Sequence, residues 1–497
     1  MKKYISIVGI VLLILTSCDK WLDVRPESEV DLEQLLLTEG GFMEALNGVY
    51  TICNRPTSYG ELICGFPDYL VGLYTQNSST GLSNNEYKPF FTFDYTDNYV
   101  LEKSNMVWSS LYKAIAQCNI IINRIDEKKN LFSGDNYNII KGEALALRGY
   151  LYFDLLRLFA PSYKSNPSAK AIPYLTEFSL KGAPQSTVKE VLDKIVEDLE
   201  ASKSLLAESD PILSAIYVVG YPLNESDNST KLTNESTTAH IFNNTRRDRL
   251  NYYAVCGQLA RVYLYMDNKV SALSNALEVI DSQKFPWATR ERVTTSDQTL
   301  KDKIFFTELV FGLYAPPLEE NLSRKFENGE QGMFTNLVYF NNAFETGSGG
   351  PGGTDVRYAN LYTLHTGGSS MLVYKYHTDP VDNMHEIRLP AMRLSEIYYI
   401  AAESIYDTNP LQGWSYLNTV RFQRGIPGTL SGDKTMFVQE LTKEYRKEFF
   451  AEGQLFYFFK RLNLPVVAIN GTVTPASDNI FVLPLPDAEL QYGNIIK

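Results

Sequence analysis

The chain has 497 residues, of which 44% are hydrophobic and 21% are charged, and its formal net charge is −12. This length suffices for one large domain or two to three ordinary ones, each with a sizeable core. The acidic balance argues against binding to nucleic acids or anionic lipid surfaces. With four histidines in the whole chain, an extensive histidine-ligated metal site is disfavoured. We therefore expect a globular protein with neither metal nor cofactor.

The beginning of the chain has the pattern of a bacterial lipoprotein signal. Two lysines precede an apolar stretch at 5–15, which is too short to span a bilayer. The next residues, Thr16, Ser17 and Cys18, resemble a lipobox, in which two small residues precede the cysteine that receives the lipid. We predict that residues 1–17 are a signal peptide and that lipidated Cys18 anchors an exported protein. The alternative is an ordinary secretory signal with a chance cysteine.

The remaining four cysteines form no CxxC pair, which argues against a zinc or thioredoxin-like site. Cys118 and Cys256 lie in apolar helical runs, so we expect buried, inert thiols. The spacing of Cys53 and Cys64 permits a disulfide in an exported protein but does not require one.

Hydrophobic periodicity of 3.6 residues predicts a largely helical chain. The segment 186–190 has the composition of a helix-capping box, and Pro410 stands at the start of another helix. The predicted helices are 104–124, 136–159, 186–206, 251–266, 268–282, 391–406, 411–423 and 436–462.

Three of these helices share a local pattern. Arg148 and Arg261 are each followed, two residues later, by Tyr-Leu-Tyr, and the segment around Arg393 is a looser copy. Helix pairs of this kind resemble tetratricopeptide units, which bury their faces by stacking. We predict a mainly α fold in which tetratricopeptide-like helix pairs form a right-handed scaffold, decorated by long loop and short-strand insertions that carry the binding surface. Arg148 and Arg393 should pair with carboxylates inside this scaffold.

A set of motifs follows one order along the chain, at 18–26, 148–159, 172–173, 186–188, 393–398, 417–421, 448–453 and 483–486. This ordered set resembles the SusD/RagB family of outer-membrane nutrient-binding lipoproteins of Bacteroidetes. The similarity runs from end to end, and it implies one SusD-like domain over 18–497 with an N-terminal module of about 18–215 and a C-terminal module of about 285–497 on a shared helical scaffold.

No catalytic constellation stands out. Glu444, Glu448 and Glu452 recur every four residues and share one helix face, whereas a glycosidase needs two carboxylates facing each other across the substrate. The lysines and arginine between them indicate a solvated or interface ion-pair network instead. We therefore predict that the protein is not an enzyme.

Aromatic residues outside the helices carry the functional hypothesis. A sugar ring has an apolar C–H face and polar edges, so its site needs exposed aromatic rings beside amide, carboxylate or guanidinium groups. We predict such a site on the loops of 55–103, completed by the insertion 285–390. The alternative is that each ring packs beneath its own loop. The candidate ligand-binding residues are Asp68, Tyr69, Tyr74, Tyr95, Trp287 and Tyr314.

The family resemblance implies a cell-surface, lipid-anchored outer-membrane protein that binds oligosaccharides. It further implies delivery of the ligand to a SusC-like TonB-dependent transporter. The RagB branch makes a peptide or glycopeptide ligand the alternative. A surface glycoside hydrolase and a purely structural tetratricopeptide scaffold are the other classes.

The lipid at Cys18 is the predicted membrane attachment, so replacing this residue should release the protein. We expect the Cys18→Ala variant to be folded and soluble, because each CH₂ buried by an acyl chain contributes about 0.8 kcal/mol to membrane binding. Fractionation of cells that lack the transporter partner measures this. A variant that still sediments with outer membranes would contradict the anchoring hypothesis.

Overall fold

The computed structural model describes most of the chain, and the predicted signal peptide 1–17 and Cys18 lie outside the described part. In that part no helix is both long enough and apolar enough to cross a membrane. The described residues are 34–75, 86–177, 183–221, 233–235, 242, 244–326, 333–347, 349–377, 383 and 388–493.

Helices dominate the described residues, which confirms the mainly α fold class. The α-helices are α1 (Glu39–Cys53), α2 (Tyr59–Leu62), α3 (Phe66–Leu70), α4 (Lys88–Phe91), α5 (Asn98–Ile125), α6 (Asn136–Phe159), α7 (Val188–Ala207), α8 (Tyr252–Tyr265), α9 (Lys269–Asp281), α10 (Arg290–Thr294), α11 (Glu319–Phe326), α12 (Leu337–Phe344), α13 (Val356–Asn360), α14 (Leu394–Tyr406), α15 (Pro410–Gln423), α16 (Lys434–Glu448), α17 (Gln454–Leu462), α18 (Asp478–Phe481) and α19 (Asp487–Tyr492).

The long helices pack in pairs, and each pair packs on the next. Helices α5 and α6, α8 and α9, and α14 and α15 are neighbours both in sequence and in space. Helix α7 joins the first pair to the second, and α9 packs against α14. The helix pairing is therefore as predicted, while the right-handed sense and the division into two modules stay predictions.

Short antiparallel strands occupy the insertions between the long helices. The two longest, β3 and β7, pair so that Leu309 lies opposite Arg393 and Tyr314 opposite Arg388. The small sheets are β1–β2, β3–β7, β4–β6–β5 and β8–β9. The strands are β1 (Lys170–Pro173), β2 (Gln185–Thr187), β3 (Leu309–Tyr314), β4 (Phe334–Asn336), β5 (Tyr362–Leu364), β6 (Ser370–Val373), β7 (Arg388–Arg393), β8 (Val466–Val467) and β9 (Val473–Thr474).

The predicted capping box forms at the start of α7. The Thr187 side chain accepts a hydrogen bond from the backbone N–H of Glu190, and the Glu190 carboxylate accepts one from the backbone N–H of Thr187. These two bonds satisfy donors that the helix itself leaves unpaired. The helix therefore begins within two residues of its predicted start.

The prediction of a single helix over 436–462 is wrong, because the chain turns between α16 and α17. Ala451 and Gly453 have positive φ angles of 59° and 69°. A Cβ atom at Gly453 would lie 2.2 Å from the carbonyl oxygen of Leu62. The close approach of another segment, together with the left-handed conformation, requires glycine at position 453, directly before α17 begins.

The four described cysteines are buried free thiols. The disulfide that the spacing of Cys53 and Cys64 permits is therefore not formed. Burial raises the pKa of the Cys53 thiol to about 12. Because the thiolate is the reactive form, these side chains act as small apolar groups of the core.

Arg148 and Arg393 pair with carboxylates, as predicted, and Arg261 of the same pattern does so too. Arg148 forms a two-pronged ion pair with Asp198, with distances of 2.7 and 2.6 Å. Arg261 pairs with Glu396 in the same way, at 2.7 and 2.6 Å. The first ion pair links α6 to α7, and the second links α8 to α14, through charge-assisted hydrogen bonds.

Glu448 is the centre of a larger buried cluster. Its carboxylate accepts hydrogen bonds from Arg357 at 2.8 Å, from Arg424 at 2.6 and 3.0 Å, and from Arg393. Arg424 also pairs with Glu308, at 2.8 and 2.6 Å. The three guanidinium groups outweigh the effect of burial and hold the pKa of Glu448 well below its ordinary value. We call these five residues the Glu448 cluster.

The Glu448 cluster corrects the interpretation of the glutamate series. Glu444, Glu448 and Glu452 are buried rather than solvated. Their main partners are arginines from α13, from β7 and from the segment after α15, not the basic residues beside them in the sequence. Because those partners are distant in the chain, the helix pattern alone did not reveal them.

Truncating Arg393 should destabilise the fold strongly. The Arg393→Ala variant leaves the buried carboxylates of Glu448 and Glu452 with fewer partners, and removing one member of a buried ion pair costs about 3–5 kcal/mol. Denaturant unfolding measures the change. The control is Lys189→Ala, which removes an exposed pair with Asp193 and should change stability little. Equal stability of the two variants would contradict a structural role for Arg393.

Candidate ligand-binding groove

Three of the six predicted ligand-binding residues lie in the core. Asp68, Tyr69 and Tyr74 are 1%, 2% and 1% exposed. The Tyr69 ring stacks on Tyr87 with centroids 4.8 Å apart, and Tyr74 lies 5.0 Å from Tyr69. The expectation that these side chains are exposed is wrong, because the short helices α2, α3 and α4 enclose an aromatic cluster of their own.

Asp68 has a structural role at the turn between α16 and α17. Its carboxylate accepts a hydrogen bond from the backbone N–H of Ala451 at 2.7 Å and one from the Tyr74 hydroxyl at 3.5 Å. Burial raises the pKa of Asp68 to about 8, and the hydrogen bond from Ala451 only partly opposes this. Asp68 thus fixes a strained turn and is inaccessible to a ligand.

The other two tyrosines differ in exposure. Tyr95 is half-buried, and its hydroxyl donates a hydrogen bond to the carbonyl oxygen of Ile480 at 2.5 Å. Tyr314 is 39% exposed at the end of β3, with the Arg388 guanidinium 4.9 Å from its ring. Tyr314 is therefore accessible to a ligand, whereas Tyr95 ties its loop to the C-terminal segment.

Trp287, the sixth predicted residue, lines an open groove with a volume of about 460 Å³. This size is within the range of small-ligand sites. The groove lies where the segment before α10 meets the end of α15. Its lining residues are Trp287, Ala288, Thr289, Arg290, Val356, Phe422, Gln423, Gly425, Ile426 and Pro427.

Two residues of the Glu448 cluster, together with Tyr398, hold Trp287 and its neighbour Ala288 in place. The Arg424 guanidinium lies 5.5 Å from the Trp287 ring, and the Tyr398 ring lies 5.1 Å from it. The backbone N–H of Ala288 donates a hydrogen bond to Glu308 at 3.1 Å. Trp287 is half-buried, so the ring is held by the core while part of it faces the groove.

Phe422 is the second aromatic residue of the groove, and the sequence interpretation missed it. Helix α15 buries Trp414, Leu417 and Val420 on one face, and Phe422 lies off that face and is 72% exposed. An aromatic residue out of phase with the apolar stripe of its helix is a signal that was available in the sequence. Two accessible rings in one groove fit a ligand with an apolar face.

Polar groups accompany the two rings. Arg290 is exposed, and Thr289 and Gln423 are half-buried at the groove. None of the lining residues is an aspartate or glutamate. The groove can therefore stack a ring and form hydrogen bonds at its edge, but it lacks the two carboxylates that glycoside hydrolysis uses.

No metal-ligating cluster of three or more His, Cys, Asp or Glu side chains occurs within the described ranges.

Two family models match the chain. One, described as starch-binding and associating with the outer membrane, covers residues 20–215. The other, described as the SusD family, covers residues 286–489. Together they span the N-terminal and the C-terminal parts of the chain.

One curated relative and two solved structures resemble this chain over nearly its whole length. SusD-like protein P38 of Formosa agariphila is 22% identical over 98% of this chain and 97% of its own length. A putative sugar binding protein from Bacteroides vulgatus has a TM-score of 0.69 at 23% identity, covering 92% of this chain and 98% of its own. A SusD superfamily protein from Bacteroides thetaiotaomicron has a TM-score of 0.68 at 22% identity, with coverages of 93% and 99%. The chain belongs to the SusD/RagB family.

Proposed function

We propose that this protein is a non-catalytic, lipid-anchored glycan-binding protein of the cell surface. It captures oligosaccharides and delivers them to a SusC-like TonB-dependent transporter in the outer membrane. Membership of a family that binds carbohydrate at the cell surface supports this function. The observation that carries it in this chain is the groove in which Trp287 and Phe422 lie beside polar groups.

The groove supports sugar binding through complementary surfaces. The C–H face of a sugar ring stacks on an aromatic ring, and the hydroxyl groups at its edge bond to side chains such as Gln423 and Thr289. Trp287 is already packed against Tyr398, so little conformational freedom is lost when a ligand stacks on it. Binding to a preorganised ring gains affinity because this ordering cost is small.

Tyr314 belongs to a second, separate patch. Glu308, which contacts the groove segment at Ala288, precedes β3, and Tyr314 ends this strand. A strand rises about 3.3 Å per residue, so Tyr314, six positions after Glu308, lies roughly 20 Å from it along the strand. We therefore place the ligand at the Trp287 groove and keep Tyr314 as a contact for a longer glycan.

Truncation of either groove ring should weaken binding without unfolding the protein. For Trp287→Ala and Phe422→Ala we expect losses of about 1–3 kcal/mol each, roughly 5- to 150-fold in affinity, as for central aromatic residues of interfaces. Calorimetric titration with a glycan selected on a glycan and peptide array measures the loss, and circular dichroism checks the fold.

The control for this experiment is Leu411→Ala. Leu411 lies at the other end of α15, is 81% exposed and does not line the groove. The Leu411→Ala variant should bind the glycan with the affinity of the wild type. Folded Trp287→Ala and Phe422→Ala variants with wild-type affinity would exclude the groove, and exclusive binding to peptides on the array would exclude a glycan ligand. Release of reducing sugar from a bound glycan would identify an enzyme instead.

A further inference from the structure

We infer that the groove selects glycans with an anionic substituent, a carboxylate or a sulfate, and that Arg290 is the residue that recognises it. This inference rests on the proposed function and adds the chemical class of its ligand. The juxtaposition that carries it is one guanidinium, without a partner in the described part of the chain, beside two accessible aromatic rings.

Arg290 differs from most arginines of the fold. It is exposed, and among the described residues its guanidinium has neither a hydrogen-bond nor an ion-pair partner. In contrast, Arg357, Arg393 and Arg424 are buried and paired with carboxylates. A charged side chain held at a ligand groove without a protein partner is available to bind a charged ligand.

The backbone brings Arg290 into the groove. A Cβ atom at Gly425 would lie 3.0 Å from Nη1 of Arg290, so the guanidinium lies directly against this glycine. Gly425 has a φ of 79°, a left-handed conformation that suits glycine. The turn after α15 therefore leaves the space that the Arg290 side chain occupies.

Arg290 is the one ionisable residue among the described residues that line the groove, although the whole chain has a net charge of −12. The neighbouring carboxylates do not neutralise Arg290: Glu308 is buried and paired with Arg424, and Asp355 is buried and paired with Arg357. Glu291, next in the sequence, is not a lining residue. An anionic ligand therefore gains more from this groove than from the surrounding acidic surface.

The guanidinium geometry suits the proposed ligand. Arginine presents a planar fork of donors that matches a carboxylate or sulfate with two parallel hydrogen bonds. A sugar ring stacked on Trp287 or Phe422 would place such a substituent beside Arg290. The rings supply affinity for any sugar face, and Arg290 supplies the preference for charge.

The test uses acidic polysaccharides and their neutralised counterparts. The probes are polygalacturonate, alginate, chondroitin sulfate and carrageenan, together with carboxyl-reduced or desulfated forms of each. Affinity is measured on the full mature chain for wild type, Arg290→Gln and the control Arg55→Gln. Arg55 is also exposed, and its side chain has no partner among the described residues, but it is not a lining residue of the groove.

We expect the wild type and Arg55→Gln to bind at least one acidic probe and to lose tenfold or more in affinity for its neutralised form. Arg290→Gln should lose a similar factor for the acidic probe and should no longer distinguish the two forms. The affinity of the wild type, but not of Arg290→Gln, should fall as the salt concentration rises.

Binding that is equal for acidic and neutralised forms, or unchanged in Arg290→Gln, would overturn the inference. If Trp287→Ala abolishes binding while Arg290→Gln does not, the proposed function stands and only the charge preference is wrong. A wild type that binds neutral glycans of the array but none of the acidic probes would overturn the charge preference alone, and a wild type that binds no glycan of either set would overturn both.

Discussion

The buried carboxylate of Glu448 and the guanidinium groups around it connect segments that are far apart in the chain. Arg357 comes from α13, Arg393 from the end of β7, and Arg424 from the segment after α15. An unpaired charge in this position would cost several kcal/mol, so the segments must meet in one arrangement. The cluster thereby joins the helical scaffold to the insertions.

The candidate groove depends on this cluster. Arg424 lies behind the ring of Trp287, and Glu308 holds the backbone beside it. Gln423 and Gly425, which flank Arg424 in the chain, line the groove together with Phe422, whereas Arg424 itself is buried in the core. A ligand surface supported in this way is preorganised, because its elements are fixed before any ligand binds.

Regular elements were predictable, whereas burial in irregular segments was not. The periodicity of α6 and α8 predicted their length, and the inward position of Arg148 followed from its place on an amphipathic helix. Segment 55–103 has no helical hydrophobic periodicity, and its tyrosines and aspartate suggested a solvent-exposed surface. In the fold, the Tyr87 hydroxyl donates a hydrogen bond to Glu61 at 2.8 Å, and the Asp68 carboxylate accepts a hydrogen bond from the backbone N–H of Ala451. Polar residues with satisfied hydrogen bonds are stable in a core, so composition does not reveal their exposure.

The sequence by itself determined the helix phases, the capping of α7, the pairing of successive helices and the family, because these features rest on local spacing and on ordered motifs. Trp287 was among its candidate residues. Only the tertiary structure decided which carboxylate pairs with which arginine and which aromatic residues reach solvent. Trp287 and Phe422 are separated by more than a hundred residues, and they share a groove because the buried Arg424 packs between the core and the Trp287 ring. Contacts between residues so far apart in the chain cannot be predicted from the spacing of residues that are close in sequence.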